Sequence, residues 1–147
     1  MRLTIIKAPV GEPLDLASLA GLASAEGHAF VARTQTEWDS KANRFDAPGE
    51  GLFLALAATE IVGQCGLNVD PYIDDPSVGR LRHLYIAPAH RRRGIGRELV
   101  EACLGLARNR FDRVRLRTQN EAAAQFYEAI GFSRTDEPDA THTIQAI

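Results

Sequence analysis

The chain has 147 residues, of which 45% are hydrophobic and 24% are charged, and its formal net charge is -2. These proportions are typical of a globular domain and disfavour collagen-like, disordered and coiled-coil chains. No apolar run approaches the ~20 residues that cross a bilayer. We therefore expect one domain over residues 1–147 and no membrane partner.

The first residues and the two cysteines bear on the cellular compartment. Residues 1–7 contain too few apolar side chains before Pro9 for the apolar region of a signal peptide, so a cytoplasmic location is predicted. Cys65 and Cys103 lie in apolar stretches without a CxxC pair, and the four histidines are isolated. We expect buried, reduced cysteines and no metal site.

Apolar periodicity and turn residues predict five elements in the N-terminal half. The predicted strands cover residues 2–7, 52–58 and 61–69, and the predicted helices cover residues 15–24 and 36–44. Asp15 is the expected cap of the first helix. Thr59 and Glu60 separate two of the strands, which indicates an antiparallel hairpin.

The C-terminal half predicts alternating strands and helices. The expected elements are a strand over 81–86, a helix over 94–108, a strand over 113–117, a helix over 121–130, and one or two closing strands from Phe132 and residues 141–147. Asn120 is the expected N-cap of the last helix, and Gly131 is expected to end it in a left-handed conformation. The order β-α-α-β-β-β-α-β-α-β, with or without a last strand, predicts a mixed sheet with helices on both faces.

Charge is distributed unevenly along the chain. Residues 79–117 carry eleven arginines against three acidic residues, whereas the remaining residues have an excess of ten negative charges. The basic middle indicates an anionic ligand, and the acidic remainder disfavours a protein dedicated to nucleic acid. Acidic residues of the first two helices and of the loop near residue 70 would favour a cationic substrate; these are Glu26, Glu37, Asp39, Asp70, Asp74 and Asp75.

The pattern Arg91-x-x-Gly94-x-Gly96 follows a predicted strand and opens a predicted helix. The glycines allow close approach of the backbone, and the free N–H groups of a first helical turn attract a pyrophosphate. A Walker loop would need lysine after the second glycine, where Arg97 stands, and a dinucleotide fingerprint would need glycine in place of Leu99. The arginines at 91–93 and 97 would add charge-assisted contacts.

Two pieces of the sequence together resemble the GNAT superfamily of acyl-CoA-dependent N-acetyltransferases. The first is Leu84-Tyr85-Ile86-x-Pro88 with the glycine pattern at residues 91–96, and the second is Asn120 with the run FYEAIGF at residues 126–132. The resemblance implies a GNAT-like α/β fold, with a mostly antiparallel sheet of six or seven strands flanked by about four helices. It also implies that acetyl-CoA is the cosubstrate and that a homodimer is a common assembly.

The resemblance also implies roles for individual residues. The Leu84 N–H would bond the thioester carbonyl, Asn120 would contact the pantetheine arm, and Tyr127 would be the general acid. These residues belong to the implied cofactor-binding set of Leu84, Tyr85, Ile86, Arg91, Arg92, Arg93, Gly94, Ile95, Gly96, Arg97, Asn120 and Tyr127. The chemistry needs the same parts, because attack on a thioester develops an oxyanion and then expels a thiolate.

The sequence departs from the family pattern at Arg80, where many members carry a glutamate that acts as general base through water. Glu26, Glu60 and His83 are the alternatives by position, as is a water chain that ends on main-chain carbonyls. The leading hypothesis is an N-acetyltransferase that acts on a primary amine. The alternative is a catalytically silent module that senses acyl-CoA, and a nucleic-acid binder ranks last because stacking aromatics are few.

Overall fold

A computed structural model describes residues 3–146, so Arg2 and Ile147, which belong to predicted strands, lie outside the described residues. The strands are β1 Leu3–Lys7, β2 Gly51–Ala57, β3 Glu60–Val69, β4 Val78–Ile86, β5 Arg113–Leu116, β6 Ser133–Arg134 and β7 His142–Gln145. The helices are α1 Ala17–Ala25, α2 Phe30–Ser40, α3 Ile95–Ala107 and α4 Glu121–Ile130, with a 3-10 turn at Pro88–His90.

The seven strands form one sheet in the order β1-β2-β3-β4-β5-β7-β6. Within the described residues, β4 and β5 are the only neighbours that run parallel, and every other pair is antiparallel. Neighbouring residues of β3 contact helices on opposite faces, because Gln64 meets Thr34 of α2 and Cys65 meets Cys103 of α3. The predicted fold class and element order are confirmed.

The second helix was predicted in the wrong place. It was expected over residues 36–44, but α2 begins at Phe30 and ends at Ser40, before Lys41 with a positive φ of 67°. Its buried residues are Val31, Thr34 and Trp38, which lie on one face of a helix. The sequence contains no capping signal for this start, because Ala29 at the N-cap offers no side-chain acceptor to the first turn.

The ends of the other helices differ slightly from the prediction. Leu16 rather than Asp15 is the N-cap of α1, although the Asp15 carboxylate accepts the Ala17 N–H at 3.0 Å. Asn120 caps α4 as predicted, since its Oδ1 accepts the Ala123 N–H at 3.1 Å. Gly131 ends α4 with a φ of 128°, a positive value but wider than the left-handed conformation expected there.

The lengths of the helices and the surroundings of the two cysteines complete the description of the fold. None of the helices within residues 3–146 combines the length and the apolar character that a membrane span requires. Cys65 and Cys103 are free and buried, and burial raises the pKa of the Cys103 thiol well above its ordinary value. The Cys103 thiol therefore stays protonated, and both side chains pack as part of the core.

An ion-pair network connects β4 and β5 inside the protein. Asp70, which directly follows β3, has a fully buried side chain whose Oδ2 accepts from Arg115 Nε at 2.8 Å and Arg80 Nη1 at 3.3 Å. Arg115 also reaches Glu137 at 3.2 Å, and Arg113 pairs with the same carboxylate at 2.8 Å. The arginines of β5 therefore differ in exposure, because Arg115 is only 2% exposed whereas Arg113 is partly exposed.

Asp70 carries its charge in the folded protein. Burial by itself would raise the pKa of this carboxyl, but hydrogen bonds from Arg115 and from the backbone of Tyr72 outweigh burial, as do the charges of Arg80 and Arg115, so the pKa is lowered. A carboxyl with a lowered pKa stabilises the folded state above its unfolded pKa, and this stabilisation is lost as the pH falls through the folded pKa.

Replacing Asp70→Asn keeps the shape of the side chain and removes the charge that two buried arginines share. Breaking a buried ion pair in this way lowers the free energy of unfolding by about 3–5 kcal/mol at pH 7. The native protein loses the same contribution progressively as the pH falls below about 3.9, the unfolded value. Urea denaturation measures both effects. Asp46→Asn, at an exposed position, is the control, and equal stability of the two variants at pH 7 would contradict the assignment.

Candidate active site

A groove of about 1050 Å³ lies between the end of β4, the loop before α3, and α4. Of the twelve residues that the sequence singles out for cofactor binding, all except Arg93 line it: Leu84, Tyr85, Ile86, Arg91, Arg92, Gly94, Ile95, Gly96, Arg97, Asn120 and Tyr127. The structure therefore brings together residues that are up to 43 positions apart in the chain.

The groove exists because β4 and β5 separate. The two strands are paired only over residues 78–80 of β4 and 113–115 of β5, and Arg80 with Arg115 is the last pair. The rest of β4, up to Ile86, has no β5 partner. Backbone groups on that side of β4 are left free to meet a ligand.

The backbone groups that face the gap belong to Leu84 and Ile86. The Ala87 N–H donates to the Val62 carbonyl of β3 at 2.8 Å, so the backbone of Ala87 faces β3. Because backbone groups alternate along an extended strand, Tyr85 also faces β3, whereas Leu84 and Ile86 face the gap. The Ile86 carbonyl confirms this direction, since Arg91 Nε donates to it at 3.0 Å across the gap.

The loop before α3 presents a series of free amides. Within residues 3–146, no acceptor bonds the backbone N–H groups of residues 92–97, and the first helical bond runs from Glu98 to the Gly94 carbonyl at 3.1 Å. Arg92 and Gly94 both have positive φ, 64° and 78°. A backbone in which the sign of φ alternates turns successive N–H groups toward one side and forms a concave anion site. The N-terminus of the 13-residue helix α3 adds its dipole.

The arginines of this loop contribute less than the sequence indicated. Arg91 uses its guanidinium within the protein, where Nη1 bonds Glu26 Oε2 at 2.9 Å and Nη2 bonds the other oxygen. Arg97 pairs with Glu101 at 3.0 Å along α3. Arg92 and Arg93 are exposed, and Arg93 does not line the groove. The amides are thus the principal anion-binding groups of the loop.

Glu26, a candidate base, is held as a charged partner of other side chains. Its carboxylate accepts from Arg91 and from the Tyr85 hydroxyl, and these hydrogen bonds lower its pKa to about 2. Burial and the hydrogen bond to Glu26 raise the pKa of Tyr85 to about 12. A carboxylate with so low a pKa accepts a proton weakly at neutral pH. Glu60 is exposed at the start of β3 and does not line the groove.

His83 lies at the groove beside aromatic rings. Its imidazole stacks on Phe30 of α2, with 6.0 Å between the ring centroids and 17° between the planes. Burial, and then the charges of Arg82 and Arg33, lower its pKa to about 4, so the ring is neutral at pH 7. Phe30 and His28 also line the groove. Neither was among the site residues predicted from the sequence, where the second helix was expected to begin only at residue 36.

Tyr127 reaches the groove from α4. Its ring packs against Phe126 and Phe132, with centroids at 5.2 and 5.6 Å. Within residues 3–146 its hydroxyl has no hydrogen-bond partner, so it is free to bond a ligand. Burial, and then the nearby thiols of Cys65 and Cys103, raise the pKa of Tyr127 above its usual range. The phenol is therefore protonated at neutral pH.

The acidic residues proposed to attract a cation are not a free set. Asp70 is buried between Arg80 and Arg115, and Glu26 is paired with Arg91. The other four carboxylates, those of Glu37, Asp39, Asp74 and Asp75, form no ion pair within the described residues, although Asp39 accepts from Gln35 and Asp75 from Ser77. The distribution of acids in the sequence is therefore weak support for a cationic substrate.

The parallel pair β4 and β5 separates beside the amide-lined N-terminus of α3, which is the arrangement that the resemblance to the GNAT superfamily implies. The family model described as Acetyltransferase (GNAT) family matches residues 19–132. The chain belongs to the GNAT family of acetyltransferases, which confirms the resemblance inferred from the sequence.

Individual proteins show the same likeness. A candidate acetyltransferase from Exiguobacterium sp. 255-15 is 28% identical and superposes with a TM-score of 0.86 over 99% of this chain and 94% of that chain. YncA from Salmonella typhimurium, solved with its cofactor acetyl-CoA, is 16% identical and shares the fold with a TM-score of 0.69, over 99% of this chain and 94% of that chain.

A curated relative matches a shorter stretch. The N-alpha-acetyltransferase RimI of Mycobacterium tuberculosis (strain ATCC 25618 / H37Rv) is 41% identical over 49 residues. The match covers 33% of this chain, and this chain spans 31% of the length of that relative.

Proposed function

We propose that this acetyltransferase transfers the acetyl group of acetyl-CoA to a primary amine by direct attack of the amine on the thioester. The observation that carries the proposal is the run of unpartnered amides at residues 92–97 beside the backbone groups of Leu84 and Ile86 that face the gap between β4 and β5. The first set suits a pyrophosphate and the second suits an extended pantetheine arm. YncA, with acetyl-CoA bound, and RimI, an N-alpha-acetyltransferase, support the cosubstrate and the amine respectively.

The residues of the groove divide the work of the reaction. The Leu84 N–H donates to the thioester carbonyl and stabilises the negative charge that develops on its oxygen. The amine nitrogen forms a bond to the carbonyl carbon, the carbon–sulfur bond breaks, and the sulfur leaves with the electron pair. Tyr127 donates its phenolic proton to this sulfur and recovers a proton from solvent. The nitrogen loses its extra proton to water.

The acceptor enters from the side of α1 and α2 in this proposal. His28, Phe30 and His83 line that end of the groove, and the neutral His83 ring can accept a hydrogen bond from an N–H group. Arg91, directly before the loop of free amides, bonds Glu26 at the end of α1 and so connects α1 to the loop. No covalent enzyme intermediate is required, because the amine attacks the thioester itself.

The site assignment is tested by adding a side chain at Gly96. A Cβ at this position would lie 3.4 Å from Phe126 and 3.9 Å from Ile86, both on the groove wall, so Gly96→Val folds but obstructs the groove. We expect its Kd for acetyl-CoA to rise about ten-fold or more in calorimetric titrations. Gly105→Val is the matched control, since a Cβ at this position of the same helix meets nothing within 4 Å. Equal affinities of the two variants would refute the site.

The catalytic role is tested with Tyr127→Phe, which keeps the ring and removes the proton donor. We expect kcat to fall by about 10²- to 10⁴-fold in an assay of thiol release with a panel of primary amines, while the affinity for acetyl-CoA and the Tm stay near native. Tyr72→Phe removes a hydroxyl from an exposed ring that does not line the groove and serves as the control. If the native protein binds acetyl-CoA but no amine releases thiol, the silent sensor replaces the transferase.

The pH dependence follows from the two lowered pKa values. Glu26, at about 2, and His83, at about 4, are both unprotonated from pH 5 upward, so neither group titrates in the neutral range. The rate should then rise with pH toward the pKa of the amine itself, because only the neutral amine attacks. His83→Ala should retain this profile. A midpoint near 6.5 that is lost in His83→Ala would show instead that His83 is the base.

A further inference from the structure

The strand that carries Leu84 is irregular at its centre. Gln64 pairs with Tyr85, and Gly66, two residues later on β3, pairs with Arg82, three residues earlier on β4. One extra residue on β4 is therefore accommodated in a bulge. His83 lies in the bulge with a φ of 62°, a backbone conformation that costs a non-glycine residue about 1 kcal/mol or more. A surrounding contact must hold this conformation in place.

Gln64 supplies that contact. Its side chain is 0% exposed in the middle of β3, and its Nε2 donates to the His83 carbonyl at 2.9 Å. The same nitrogen lies 3.2 Å from Thr34 Oγ1, whose hydroxyl donates to the Phe30 carbonyl at 2.9 Å. The Gln64 amide thus replaces the backbone partner that His83 lacks in the bulge. Thr34 of α2 fixes the position of this amide.

The bulge decides which way the next amide points. Beyond it, the bond from the Ala87 N–H to the Val62 carbonyl turns Tyr85 toward β3 and Leu84 toward the groove. Without the extra residue, a regular strand would alternate in the opposite phase and direct the Leu84 N–H toward β3. The direction of the proposed thioester donor therefore depends on a bulge that Gln64 holds.

We propose that Gln64 is a positioning residue for acetyl transfer, which acts through the His83 carbonyl to keep the Leu84 N–H aligned with the thioester carbonyl. The proposal rests on the proposed function. It assigns no contact between Gln64 and the substrate. Gln64 is an uncharged polar side chain that is buried in the core. One hydrogen bond of its Nε2 reaches the bulge and the other reaches Thr34 of α2. Its Oε1 has no partner in residues 3–146, so all the hydrogen bonds of this side chain are made by Nε2.

The test uses Gln64→Met, which keeps the length of the side chain and removes its donor. A misaligned donor should lower kcat by about ten-fold or more, and at most by the 10²- to 10³-fold that follows from losing an oxyanion donor, with little change in Kd for CoA. Leu67→Ala, another buried change on β3, is the stability control and should keep native kcat. Native kcat in Gln64→Met would overturn the proposal.

The Leu84 amide gives a direct readout in ¹⁵N-labelled protein. In the native protein its resonance should shift downfield more with acetyl-CoA than with CoA, and Gln64→Met should lose this difference. If the native protein shows neither the difference nor turnover, the proposed function fails. If the native protein shows both and Gln64→Met keeps them, only the role of Gln64 fails.

A second variant covers the case in which Gln64→Met does not fold. Gln64→Glu has the shape of the native side chain, and only its protonated form can donate to the His83 carbonyl. Its turnover relative to native should therefore fall as the pH rises through the pKa of the introduced carboxyl, which burial places above 4.3. A ratio that is constant with pH would contradict the proposal.

Discussion

The shared carboxylate of Asp70 joins β4 and β5 where the sheet opens. It bonds Arg80 and Arg115, which are also the last paired residues of β4 and β5, so one carboxylate bridges these strands at the point where they begin to separate. Charges of opposite sign interact strongly where water is excluded, and the cost of separating them is correspondingly high. Every free backbone group of the groove lies on the far side of this point. Arg80 stands where the family resemblance places a glutamate, and here its charge is used for architecture.

The regular elements could be predicted because their signals are local. The span of α4 follows from its cap and apolar spacing, and the groove residues follow from the glycine pattern and from the run around Tyr127. α2 was misplaced because its buried face includes Thr34 and its start lacks a capping side chain. A helix that tertiary packing stabilises gives a weak local signal.

The contacts between distant residues could not be predicted. Arg91 was expected to face a phosphate, but it binds Glu26, 65 positions earlier in the chain. Gln64 lies within an otherwise apolar run, and nothing near it in sequence indicates that His83 would need a donor. Such partners are determined by which backbone groups the fold leaves unpaired, and that is known only after the strands have been aligned.

The bond between Arg91 and Glu26 has a consequence for how ligand is captured. Arg91 directly precedes the amide-lined loop, and bonds within the protein itself connect it to α1 through Glu26 and to β4 through the Ile86 carbonyl. A loop that is already ordered loses little conformational entropy on association. Capture should then be a single kinetic step, with an observed rate that increases linearly with ligand concentration rather than reaching the plateau of a slow isomerisation. Differences in affinity among acyl chains would appear as differences in residence time.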